Sequence, residues 1–93
     1  MSDVIPTLMA TIEDRKANPR PDSYTASLFA AGLPRMAQKV GEEGVETAIA
    51  ALSEGDDRLV SEMADLVYHC LVLLAARGQT WNAVEEELAR RFR

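Results

Sequence analysis

Two acidic stretches carry the chemistry open to this chain: Lys39-Val40-Gly41-Glu42-Glu43-Gly44-Val45-Glu46 and, further on, Glu62-Met63-Ala64-Asp65. Residues three and four apart on a helix share a side. Glu43 and Glu46 therefore point one way, and so do Glu62 and Asp65. If the two helices lie side by side, four carboxylates converge. Such a cluster binds divalent cations or repels itself apart. Magnesium is the natural occupant, because it takes oxygen ligands at about 2.1 Å and is typically shared between protein carboxylates and substrate phosphates. No histidine pair accompanies the carboxylates at ligand spacing, which disfavours zinc and di-iron.

The local alternative for Glu42, Glu43 and Glu46 is a solvated acidic face, with like charges costing roughly 0.2–0.5 kcal/mol per pair. Lys39 offsets part of this as the i,i+4 partner of Glu43. The second stretch weighs against the alternative, because Glu62 and Asp65 sit in a helix that is otherwise mostly apolar, where a charge needs a partner. A metal cluster without a nucleophile or redox group nearby suits hydrolysis of a phosphoanhydride. Glu42 or Glu43 would take the proton of the attacking water. Arg35 and Lys39, on the same face, are candidates for phosphate contacts. His69 lies one turn beyond Asp65 and would contact substrate or orient a ligand, although a lone helical histidine is more often merely hydrogen-bonded. No P-loop glycine pattern is present, so kinase or P-loop ATPase chemistry has no support.

These residues need helices to position them. Ile5, Leu8, Met9 and Ile12 define a first helix over Val4 to Ala17, stopped by Asn18-Pro19-Arg20-Pro21. Asp22 or Ser23 caps a short second helix, Tyr24 to Ala31, which Gly32 ends. The third runs from about Pro34 to Leu52. Its apolar and small residues (Ala37, Val40, Gly41, Val45, Ala48, Ile49, Leu52) gather opposite Arg35, Lys39, Glu42, Glu43 and Glu46. Gly41 and Gly44 each cost about 1 kcal/mol relative to alanine in a helix, a cost understandable if another backbone comes close there. Asp56 is the expected N-cap of a fourth helix reaching Arg77, and Thr80 that of a fifth with the stripe Trp81, Val84, Leu88, Phe92. Beyond Leu71 the fourth helix is apolar almost all round, which implies burial on every side. One short chain can hardly supply that, so a homo-oligomer, dimer or tetramer, is expected with this helix near the interface. The fold class is all-α: about five helices around a central antiparallel hairpin of the third and fourth.

Bulk properties agree with one soluble domain over residues 1–93. A chain this short buries only about 60–65% of its unfolded surface. Aromatics are scarce and alanine, leucine, glutamate and arginine abundant, which favours helix over sheet. The net charge of −5 argues against nonspecific partners such as nucleic acid or anionic membrane. A lone cysteine, Cys70 among apolar neighbours, excludes an internal disulfide and suggests a reduced, buried thiol. Without a signal-like N-terminus or a bilayer-length apolar run, the chain reads as cytoplasmic.

The acidic motifs, together with Ser23-Tyr24-Thr25-Ala26-Ser27-Leu28-Phe29 and Tyr68-His69-Cys70-Leu71-Val72-Leu73-Leu74, resemble phosphoribosyl-ATP pyrophosphatase. This is a family of the all-α nucleotide pyrophosphohydrolase superfamily. The likeness extends from about Ser23 to Phe92. Its carboxylate pairs are superfamily-wide, while the tyrosine-containing segments point to the histidine-pathway member. The resemblance implies magnesium-dependent hydrolysis of phosphoribosyl-ATP to phosphoribosyl-AMP and pyrophosphate, the second step of histidine biosynthesis. It also implies Glu43, Glu46, Glu62 and Asp65 as metal ligands with Glu42 nearby, in a stand-alone form without a cyclohydrolase domain. Two rivals stay open: a housecleaning hydrolase of noncanonical nucleoside triphosphates, and a non-enzymatic helical oligomerisation module with a merely solvated acidic face.

Overall fold

The structure, a computed structural model, describes residues 3–93. Five helices make it up: α1 (Val4–Ala17), α2 (Tyr24–Ala31), α3 (Leu33–Ser53), α4 (Asp56–Ala76) and α5 (Trp81–Arg91). Among the described residues there is no strand.

Local signals set the helix ends. Of the two candidate caps for α2, Ser23 is the one used: its hydroxyl oxygen accepts from the Ala26 N–H at 3.1 Å. Thr80 does the same for α5, accepting from Ala83 N–H at 3.1 Å. Gly32 ends α2 at φ 101°, a left-handed conformation that side-chain-bearing residues rarely adopt, and α3 starts directly after it with Pro34 in its first turn. Only Glu54 and Gly55 separate α3 from α4, with Gly55 at φ 90°. Asp56 is not the cap that its residue type suggests. Gly55 takes that position, and Asp56 and Asp57 open the helix itself, where negative charge is favoured by the helix dipole.

α3 and α4 are the most extensively packed pair, and α1 and α2 lie across one end of it. The core formed there consists of Ile12 from α1, Leu28 from α2, Met36 from α3, and Leu71, Val72 and Ala75 from α4. One chain covers Leu71, Val72 and Ala75 of the apolar end of α4 and leaves Leu73, Leu74 and Ala76 half-buried. The weakly patterned α1 and α2 supply the cover. By length and composition α4 would also cross a membrane, but Leu71, Val72 and Ala75 of its apolar turns are buried in this core.

The face of α3 turned to α4 also differs from expectation. Met36, Glu43, Thr47 and Ala50 are its buried residues. Val45, Ile49 and Leu52, from the predicted apolar side, are exposed, as are Ala37, Gly41 and Ala48. A side chain built at Gly41 or Gly44 would meet no atom within 4 Å, so no other backbone approaches them among the described residues. Glu43 takes the inner position because its partners are there, as the next section describes. α5 is the most loosely held element: none of its residues is buried, and its stripe passes from half-buried Trp81 and Val84 to exposed Leu88 and Phe92.

Candidate metal centre

Glu43 and Glu62 are each one turn beyond a basic residue on their own helix. Lys39 Nζ lies 3.4 Å from Glu43 Oε2, and Arg58 Nη2 lies 2.6 Å from Glu62 Oε2, both at i,i+4 spacing. These local pairs form within a single helix turn and travel with it into the interface. When α3 docks on α4 the two carboxylates become buried, 6% and 5% exposed, and exposed Asp65 joins them. One oxygen from each of Glu43, Glu62 and Asp65 lies within 4.8 Å of the others. Three carboxylates that close, two of them withdrawn from water, repel strongly unless a cation of higher charge sits among them. An oxygen-only donor set of this charge fits a hard divalent cation such as magnesium or manganese and offers nothing to a soft one.

The other predicted site residues surround this triad. Glu46, one turn beyond Glu43, is exposed. Its carboxyl is nevertheless held above the usual carboxylate range, first by the charge of Glu43, and also by Glu62, with Lys39 pulling the other way. It stands at the rim, within the field of the triad. Glu42 faces outward. It accepts a hydrogen bond from Gln38 at 2.8 Å and pairs with Lys39 at 3.6 Å and Arg35 at 3.9 Å. The Gln38 hydrogen bond, ahead of the nearby Lys39 and Arg35 charges, holds Glu42 below the usual carboxylate range. Burial works against the charge on Lys39, but Tyr24, Glu43 and Glu42 outweigh it and raise the ammonium's pKa. Lys39 therefore stays cationic beside the triad.

His69 is buried, and both of its ring nitrogens are engaged. Nδ1–H donates to the backbone carbonyl of Asp65 at 2.8 Å, which leaves Nε2 to accept from the Tyr24 hydroxyl at 3.3 Å. The tautomer follows from these partners. Tyr68 packs edge-on against His69, with ring centroids 4.8 Å apart, and its hydroxyl is hydrogen-bonded to Thr25. The histidine thus ties α2 to the backbone of a triad residue. Cys70, one position on, is a free and only half-buried thiol, pushed up by burial.

Two residues at the site were not anticipated from the sequence. Arg58 was legible in principle, since Arg58-x-x-x-Glu62 repeats the spacing of Lys39-x-x-x-Glu43. Tyr24 was not, because its place depends on a contact with a histidine far along the chain.

An all-helical frame holding an oxygen-only carboxylate cluster between two helices defines a class of helical proteins able to hold a hard cation. Within it, the sequence pattern of the family described as Phosphoribosyl-ATP pyrophosphohydrolase matches residues 5–92, and the chain belongs to that family of phosphoanhydride-cleaving hydrolases. The chain is 52% identical over 90 residues to the phosphoribosyl-ATP pyrophosphatase of Pyrobaculum calidifontis, covering 97% of this chain and 96% of that protein. It is 50% identical over 93 residues to that of Metallosphaera sedula, covering all of both chains. The enzyme of the same name from Erythrobacter litoralis is 58% identical over 85 residues, 90% of this chain and 81% of that one.

Proposed function

We propose that this protein hydrolyses phosphoribosyl-ATP to phosphoribosyl-AMP and pyrophosphate, as the second step of histidine biosynthesis, in the cytoplasm. The observation that carries the reading is the Glu43–Glu62–Asp65 triad, in a chain that matches this family over nearly its whole length. Magnesium would be held by these three carboxylates with Glu46 at the rim, and it would neutralise the phosphates and lower the pKa of water there. The protein's own groups do the rest. Lys39, next to Glu43, is placed to bind phosphate oxygens, with Arg35 further out on the same side. Glu42 or Glu43 would accept the proton of the attacking water. His69 orients the groups around it rather than reaching the substrate, because both of its nitrogens are taken.

Residues 1–93 act as one domain, with α3 and α4 as the central antiparallel hairpin of a homo-oligomeric bundle, dimeric or tetrameric. Val45, Ile49 and Leu52 of α3, with Val60 and Met63 of α4, offer the apolar surface that a second copy would cover. The activity is tested by following pyrophosphate release from phosphoribosyl-ATP and from free nucleoside triphosphates, with and without magnesium. Release from phosphoribosyl-ATP that needs magnesium supports the reading; turnover of triphosphates alone defeats it. Magnesium should also raise the melting temperature by mass action on the folded state, and no shift across a millimolar titration would count against the metal centre.

A further inference from the structure

Tyr24 combines two properties that rarely meet in one side chain. Its hydroxyl is anchored to a buried histidine, yet the residue is 53% exposed. A tyrosine serving only the core would hide its ring and leave the hydroxyl to water. Here the polar end is fixed and the apolar ring is left open.

Its position is tied to the carboxylate triad from both helices. On the α4 side, the Tyr24 hydroxyl donates to His69, and His69 donates to the carbonyl of Asp65. On the α3 side, Lys39 ion-pairs with Glu43, and the helix that carries Tyr24 packs directly on α3. Tyr68 lies against Tyr24 in a stacked arrangement, with centroids 6.4 Å apart and planes 29° from parallel. The Tyr24 ring is therefore held by Tyr68 and His69 and needs no further ordering to receive another flat group.

We infer that Tyr24 is a substrate-binding residue whose exposed ring stacks on the base of the nucleotide, with His69 the positioning residue that holds it there. This rests on the nucleotide pyrophosphohydrolase reading above. The phosphates would lie toward Lys39 and the triad, and the base would continue the stack begun by Tyr68. Aromatic rings suit this role because every base has a π-face, and the contact depends on the ring rather than on the hydroxyl.

The test compares wild type, Tyr24→Leu and Tyr24→Phe for magnesium-dependent pyrophosphate release from phosphoribosyl-ATP, with inorganic tripolyphosphate as an inhibitor that lacks a base. Tyr24→Leu should raise KM about tenfold or more, the scale of a lost base stack, with kcat and tripolyphosphate inhibition little changed. Tyr24→Phe, which keeps the ring but loses the bond to His69, should raise KM less than Tyr24→Leu does. His69→Gln should raise KM in the same direction, and adding it to Tyr24→Leu should cost little more, because the two act as one unit. An unchanged KM in Tyr24→Leu overturns the assignment. So does an equal loss of tripolyphosphate binding, which would make Tyr24 a phosphate contact or a fold residue. A wild-type protein that fails to turn over phosphoribosyl-ATP would instead bring down the functional reading itself.

Discussion

The two ends of the α3–α4 pair are built from the same helices and treated in opposite ways. At one end, Met36, Leu71, Val72 and Ala75 lie under Ile12 of α1 and Leu28 of α2 and are almost fully buried. At the other, Leu52 is 88% exposed and Val60 69%, with Val45, Ile49 and Met63 also open. The carboxylate triad sits between them. The difference separates two tasks: the covered end holds one chain together, and the open end leaves an apolar surface for the second copy proposed above. The triad belongs to neither and depends only on the pair staying docked.

The largest effect should come at that boundary. Glu62→Gln or Asp65→Asn should lower magnesium-dependent hydrolysis by more than about a hundredfold, the loss that follows removal even of groups supporting a metal's ligands. The melting temperature of the metal-free protein should hold or rise, since a repulsion has been removed. A loss of activity caused by unfolding would show instead in the helical circular dichroism.

Next comes a direct contrast of the two ends. Leu71→Ala, at a residue with no exposure, should destabilise the chain by about 2–5 kcal/mol in chemical denaturation. Leu52→Ala should cost no more than about 0.5 kcal/mol within a single chain. If Leu52→Ala costs as much, and the cost grows on dilution, the open end is stabilised by a second copy. Sedimentation of Ile49→Glu sharpens this further: its mass should fall to that of one chain. Wild type that already sediments as a single chain at micromolar concentration would end the oligomer reading.

The pH dependence should reverse with metal. The Glu46 carboxyl is raised in the folded chain by Glu43, so the stability it contributes is present below the usual carboxylate pKa and lost as pH rises through the raised value. Metal-free protein should therefore gain from mild acidification through Glu46. Magnesium binding should weaken over the same interval, because the proton competes for the same charge. Melting curves from pH 7 downward, with and without magnesium, check both signs, and Glu46→Gln should flatten the metal-free trend. The smallest effect is that of Arg58→Gln. It frees Glu62 of its 2.6 Å partner, and calorimetry should then find magnesium bound a few-fold more tightly. Weaker binding would mean that Arg58 supports the site rather than competing for it.

Much of this could be read from the chain, for reasons that differ by residue. Ser23, Gly32 and Thr80 mark helix ends correctly because capping is decided within a few residues. Glu43, Glu62 and Asp65 were legible as a group because helical spacing fixes which of them share a side. The buried side of α3 was not. A helical projection separates apolar from polar residues but does not say which neighbour each side will meet. Glu43 turns inward because Lys39, Glu62 and Asp65 give that position its chemistry, while Val45 and Ile49 turn outward. Glu46, one turn beyond Glu43, is exposed where Glu43 is buried, a difference that spacing does not show. Tyr24 and His69 illustrate the remaining limit: their bond joins α2 to α4 and leaves no periodic trace in the sequence.

The cations one turn before Glu43 and Glu62 also bear on the order in which the protein is assembled. Each buried carboxylate brings its own counter-ion from within its own helix, so neither waits for a metal before the helices come together. Folding and loading become separate events, and a newly made chain can be complete while magnesium is still scarce. On the proposed reading, Lys39 and Arg58 would be placeholders that keep the seat until magnesium arrives.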